Sequence, residues 1–153
     1  GCRIIIEPGR FLVGNAGILV SKVVYVKEGE ERKFLIVDAA MNDLVRPSMY
    51  DAYHGIVPIV ESDEERALYD IVGPVCETGD SFATNRLITP MKSGDLLAIR
   101  SVGAYGAVMS STYNTRKLIP EVLVNDTEFA VVRHRPSYEE IIGLDQLAPW
   151  LSE

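Results

Sequence analysis

Cys76-Glu77-Thr78-Gly79-Asp80 sets a thiol beside a carboxylate in a Gly-containing turn, so a proton donor and a receptor for a cation stand side by side. A thiol suits proton delivery only where its neighbours tune its pKa. Otherwise the pentapeptide is a small Cys next to turn residues. In Glu7-Pro8-Gly9-Arg10, Pro8 fixes one dihedral and Gly9 relaxes the next, so Glu7 and Arg10 can be aimed into a common space. The alternative is a strand-end turn with a surface ion pair. Arg46-Pro47-Ser48-Met49-Tyr50 places a guanidinium and a phenol four residues apart. If the segment turns helically, both face one anion, and Arg offers a two-pronged fork for a carboxylate. Without that turn they are a surface Arg and a half-buried Tyr. Gly103-Ala104-Tyr105-Gly106 surrounds a phenol with glycines that let the main chain approach a ligand. An aromatic that closes a core at a strand end has the same pattern. His54 reads as a packed or solvent-facing histidine.

These residues need elements to hold them. Residues 18–26 (ILVSKVVYV) and 34–37 (FLIV) are rich in β-branched and aromatic types, and the charged turn at 27–31 between them predicts a hairpin. Further strands are predicted at 3–6, 69–75, 96–102, 121–124 and 129–133, with turns at Asn125-Asp126 and at Lys92-Ser93-Gly94-Asp95. Helix signals are fewer. Residues 48–54 suit a short turn, and Ser137 with Glu140 is a capping-box pattern opening 138–142, with Gly143 as its stop. Many short strands joined by turns predict a mainly β fold, a sandwich or barrel with minor helix.

With 153 residues and 47% hydrophobic content, the chain is long enough to bury one core. A net charge of -7 speaks against a nucleic-acid partner, whose phosphates call for Lys and Arg. No apolar run approaches the roughly 20 residues needed to span a bilayer, so no membrane partner is expected. Cys2 and Cys76 give neither a disulfide framework nor metal-ligand spacing. No metal is expected, and a reducing cytoplasm is the simplest compartment. The abrupt entry on Ile4-Ile5-Ile6 reads as an interior strand of something larger, so the chain is expected to be a fragment.

Together and in this order, the four motifs resemble the C-terminal part of the pyridoxal-phosphate (fold-type III) decarboxylases of basic amino acids. The likeness runs from Ile6 to about Arg135. Glu77 after Cys76 favours the diaminopimelate decarboxylase branch, since the ornithine branch usually has Asp there. Asp38 to Leu44 and Met109 to Asn114 continue the similarity, with Tyr113 and Asn114 in structural roles.

The resemblance implies that residues 1–153 form a C-terminal β domain of the sandwich or Greek-key, barrel-like kind. It implies pyridoxal 5'-phosphate as cofactor and conversion of meso-diaminopimelate to L-lysine. Glu7, Pro8, Gly9, Arg10 and Tyr105 would line the cofactor, with Glu7 at the pyridine nitrogen and Tyr105 at the phosphate. Arg10, Arg46, Tyr50, Glu77 and Tyr105 would bind substrate: the guanidiniums and Tyr50 its carboxylates, Glu77 the distal amine. Cys76 would donate the proton. The family's Schiff-base lysine belongs to an N-terminal barrel, and none of Lys22, Lys27, Lys33, Lys92 or Lys117 sits in its context. The chain alone is therefore expected to be inactive. A homodimer with shared sites is expected, in which Cys76 and Glu77 reach the partner subunit. Decarboxylation of another basic amino acid or carboxylated polyamine, or a non-catalytic regulatory homologue, are the rival readings.

Overall fold

Along β1 (Ile18–Glu28) Leu19, Ser21 and Val23 point inward while the residues between them face outward, the period-two pattern of a strand with one covered face. The computed structural model describes residues 1–151. They form two compact units, the first ending at Ser110 and the second beginning at Ser111.

The first unit is built on a six-stranded sheet. Besides β1 it contains β2 (Lys33–Val37), β3 (Ile56–Pro58), β4 (Ala67–Val72), β5 (Ser81–Ile88) and β6 (Leu96–Arg100), in the order β3-β6-β1-β2-β4-β5. β1 and β2 form the predicted antiparallel hairpin, with Glu28 opposite Lys33 and an irregularity between Val23 and Tyr25. β2 and β4 run parallel, and the other neighbours are antiparallel. The edges come back together. Arg86 of β5 donates from Nη1 to the His54 carbonyl, two residues before β3, at 2.9 Å. The sheet is thus a nearly closed barrel, and Val23, Leu35, Val37, Ile71, Leu97 and Ile99 fill it, none more than 1% exposed.

Several expected bounds shift for local reasons. β4 stops at Val72, where one more pair, the Gly73 N–H to the Asp80 carbonyl at 3.0 Å, closes the loop that carries Cys76. β6 stops at Arg100 because Ser101 takes a left-handed φ of 61°. β5 escapes the sequence pattern because Asn85, at φ 49°, interrupts its alternation, where its N–H bonds Asp70 Oδ1 at 2.8 Å. The predicted strand at 3–6 does not form. Ile4, Ile5 and Ile6 are exposed, and no strand among the described residues pairs with them. β propensity expresses fit to a pleated, half-buried surface, and an unpaired run has none.

In the second unit β7 (Glu121–Asn125) and β8 (Glu128–Arg133) make a hairpin, and a short helix spans Tyr138–Ile142. The capping box is complete: Ser137 Oγ accepts the Glu140 N–H at 3.0 Å, and Glu140 Oε2 accepts the Ser137 N–H at 2.6 Å. That backbone N–H, helped by His134, holds the Glu140 carboxyl below its ordinary value.

Candidate active site

Glycine contacts bring the N-terminal motif to the tyrosine turn. α1 (Arg10–Val13) runs into a 3-10 turn at Gly14–Ala16, and the chain then crosses the turn after β6. Gly17 and Gly103 meet there backbone to backbone. A Cβ on Gly17 would come to 2.5 Å from Gly103 Cα, and one on Gly103 would strike the Val13 carbonyl. Hydrogen bonds fix the crossing, from Val102 N–H to Gly17 O and from Gly103 N–H to Gly14 O, both 3.0 Å. As a result the Tyr105 hydroxyl lies against Gly9, 3.2 Å from where a Cβ would stand. Arg10 Nη2 also reaches the Ser101 carbonyl, at 3.4 Å. Tyr105 itself holds a left-handed φ of 58°, a conformation uncommon away from glycine and frequent at functional turns.

The third motif arrives on α2 (Arg46–Tyr50), which begins with Pro in its first turn and ends on left-handed Asp51. Arg46 lies between two phenols, its guanidinium carbon 5.5 Å from the Tyr50 ring centre and 5.6 Å from that of Tyr105. The rings hold a planar cation by their faces and leave its edge for an anion.

The approach to α2 is fixed by two carboxylates, exposed Asp38 and buried Asp43. Asp38 Oδ1 accepts Ser21 Oγ–H at 2.7 Å and Lys22 N–H at 2.8 Å, and Asp43 Oδ2 accepts Ala40 N–H at 2.9 Å. Asp80 then ties the Cys76-Glu77 loop to this turn. Its Oδ1 accepts Met41 N–H and its Oδ2 accepts Val75 N–H, each at 2.7 Å. On the same loop Gly79 has no room for a Cβ beside Ser48 of α2. The loop therefore borders the helix that carries Arg46 and Tyr50, with Cys76 and Glu77 exposed.

His54 lies beneath this cluster, 1% exposed. Its Nδ1 is 2.9 Å from the Arg100 carbonyl. Its pKa is held below 6.5, first by burial and also by the charges of Arg10 and Arg46, against the opposing pull of the Arg100 carbonyl. Glu7, Arg10, Tyr50 and Tyr105 are exposed and Arg46 is half-buried, so the cluster opens outward. Such a set can hold an anion at Arg46 and Arg10 and a cation at Glu77. Among the described residues no group of three or more His, Cys, Asp or Glu is placed to hold a metal ion, and no helix is long and apolar enough to cross a membrane.

The sequence pattern of a known domain, described as "Pyridoxal-dependent decarboxylase, C-terminal sheet domain", matches residues 11–103. The chain belongs to that family. It is 53% identical over 150 residues to the diaminopimelate decarboxylase of Zymomonas mobilis, covering 98% of this chain and 35% of the relative. The crystal structure of diaminopimelate decarboxylase from M. jannaschii superposes with a TM-score of 0.90 at 40% identity, over 95% of this chain and 33% of the other. The Helicobacter pylori enzyme complexed with L-lysine does so with a TM-score of 0.84 at 41% identity, over 90% and 34%. The chain thus spans about a third of the length of the relatives it matches.

Four of the motif residues, Arg46, Tyr50, Cys76 and Glu77, fall within the matched span, while Glu7 to Arg10 and Tyr105 flank it. Neither residue type nor spacing in the sequence marks Asp80, Gly17 or the unpartnered nitrogen of His54. Asp80 was visible only as the last residue of the Cys76 motif. Gly17 carried no signal at all, because close approach between chain segments 86 residues apart leaves no local pattern.

Proposed function

We propose that this chain is the C-terminal domain of a pyridoxal-phosphate-dependent diaminopimelate decarboxylase, which removes carbon dioxide from meso-diaminopimelate to give L-lysine. The observation that carries the reading is Arg46 held between Tyr50 and Tyr105, whose hydroxyl lies against Gly9. It is a receptor for a carboxylate on a substrate whose other end carries an amine. The relatives at 46–53% identity that bear the decarboxylase name support it.

The residues present fit the cofactor. Gly9 leaves open the space a Cβ would fill next to the Tyr105 hydroxyl. A carboxylate at Glu7 to accept from a protonated ring nitrogen, and a phenol at Tyr105 to donate to a phosphate, are what the group requires. When bound, pyridoxal phosphate supplies the electron sink for loss of carbon dioxide.

With the cofactor bound, Glu7 would hold the proton on the pyridine nitrogen. Arg46 and Tyr50 take the distal carboxylate through a charge-assisted fork, Arg10 binds a substrate carboxylate, and Glu77 takes the distal ammonium. Cys76 Sγ delivers a proton to the carbon from which carbon dioxide departs, in a reducing compartment such as the cytoplasm. By the same reading Cys76 and Glu77, exposed on their loop, complete the site of a second subunit in a two-fold dimer.

A substrate panel tests the reading. The natural protein, loaded with pyridoxal phosphate, turns over meso-diaminopimelate and leaves L-lysine and L-ornithine untouched. Equal turnover of the mono-carboxylate amino acids would refute it.

A further inference from the structure

Among the described residues, two buried side-chain nitrogens lack a hydrogen-bond partner, Arg46 Nε and His54 Nε2. A buried polar atom without a partner is costly, and each such atom calls for an explanation. Their chemistry is complementary. A carbonyl only accepts, so His54 Nδ1, 2.9 Å from the Arg100 carbonyl, carries a proton. Burial and the neighbouring Arg10 and Arg46 charges disfavour a second proton. His54 Nε2 is then a bare lone pair, and Arg46 Nε–H, always protonated, is a bare donor.

The imidazole has little freedom to turn elsewhere. Its main-chain carbonyl takes Arg86 Nη1 at 2.9 Å, and Gly55 O accepts the Arg100 N–H at 2.8 Å. Arg86 is in turn stacked 4.3 Å from the Tyr53 ring centre. The groove residues on either side of Arg46 are rings that fix its plane but not its rotation within that plane.

We infer that His54 is a positioning residue whose neutral imidazole, at Nε2, holds the Nε–H of Arg46 across one buried water. It sets the rotation of the guanidinium so that the two terminal nitrogens face the ligand's carboxylate. This rests on the anion-receptor reading of Arg46. A lysine at 46 would lack the Nε–H as well as the fork, and so would lose the orienting contact.

The test uses the natural protein loaded with pyridoxal phosphate, labelled with 15N at His and Arg. His54 should show a protonated Nδ1 and an unprotonated Nε2 at neutral pH. The Arg46 Nε–H should exchange slowly with solvent in the parent. It should exchange fast in His54→Asn, whose shorter amide can serve Arg100 but not reach Arg46, and slowly again in His54→Gln. The KM for meso-diaminopimelate should rise roughly tenfold in His54→Asn, the loss of about one hydrogen bond, with kcat within about twofold and recovery in His54→Gln. A proton on Nε2, or an Arg46 Nε–H whose exchange ignores the substitutions, would overturn the inference. A His54 signature as expected, with no turnover of meso-diaminopimelate by the parent, would leave the positioning contact standing and remove the proposed substrate.

Discussion

The tie between the Cys76 loop and the turn before α2 rests on one carboxylate, and Asp80→Asn isolates it. Asp80 is 4% exposed and accepts backbone N–H groups from Met41 and Val75, each at 2.7 Å. An amide has the same shape but one oxygen. Its NH2 would face one of the two N–H groups, donor against donor, and the bond it keeps would lose its charge. Hydrogen bonds to a charged group contribute roughly 1.5–3 kcal/mol, about twice a neutral one. Losing one and weakening the other gives about 2–4 kcal/mol for Asn, since both donors are only partly buried. Asp80→Ala strands both donors and should cost about 3–5 kcal/mol. Native-state amide exchange reads the loop directly: Met41 and Val75 should lose protection in Asp80→Asn, and urea unfolding should give a lower midpoint. A variant within about 0.5 kcal/mol of the parent, with both amides still protected, would refute the assignment of Asp80 as the pin.

Arg46→Ala should raise the KM for meso-diaminopimelate by an amount equal to about 1.5–3 kcal/mol, and Arg46→Lys should be impaired too, because an ammonium cannot reproduce the planar fork; unchanged steady-state kinetics would remove Arg46 from the site. Gly103→Ala should destabilise the first unit strongly, since its Cβ meets the Val13 carbonyl of the backbone, whereas Gly79→Ala meets the Ser48 hydroxyl, which can rotate away, and should be milder by urea unfolding. Because burial, first, and the Arg10 and Arg46 charges hold the His54 pKa below 6.5, the unfolded chain takes up its proton first as pH falls. The His54 contribution is therefore whole above 6.5 and declines below it, by no more than about 1.4 kcal/mol per pH unit, and the parent should lose more stability than His54→Gln between pH 7 and pH 5. A full-length variant lacking the Schiff-base lysine, mixed with one carrying Cys76→Ala, should recover about a quarter of parental activity, since half the dimers are mixed and each has one intact site by two-fold symmetry; proven mixed dimers without recovery would mean that Cys76 does not serve a partner.

Local patterns in the sequence determined the elements whose causes are local. The hairpin of β1 and β2, the strand β8 and the capped helix Tyr138–Ile142 follow from β-branched runs, turn residues and a capping box, each read within one short stretch of chain. The motif residues were likewise legible by type: Arg46 and Tyr50 share a short helix whose spacing places them together. Tertiary structure alone decided what lies far apart in the chain. The parallel pairing of β2 with β4 and the return of β5 to the segment before β3 depend on closure of the sheet, to which no local window responds. Tyr105 reached Gly9 only through the contact of Gly17 with Gly103. Ile4-Ile5-Ile6 had the composition of a strand and, among the described residues, no strand to pair with, because a ladder belongs to two segments. His54 is the clearest case. Its residue type permits a core or a surface, and only the burial of Nε2 beside the Arg46 charge shows that one of its nitrogens is left to orient another side chain.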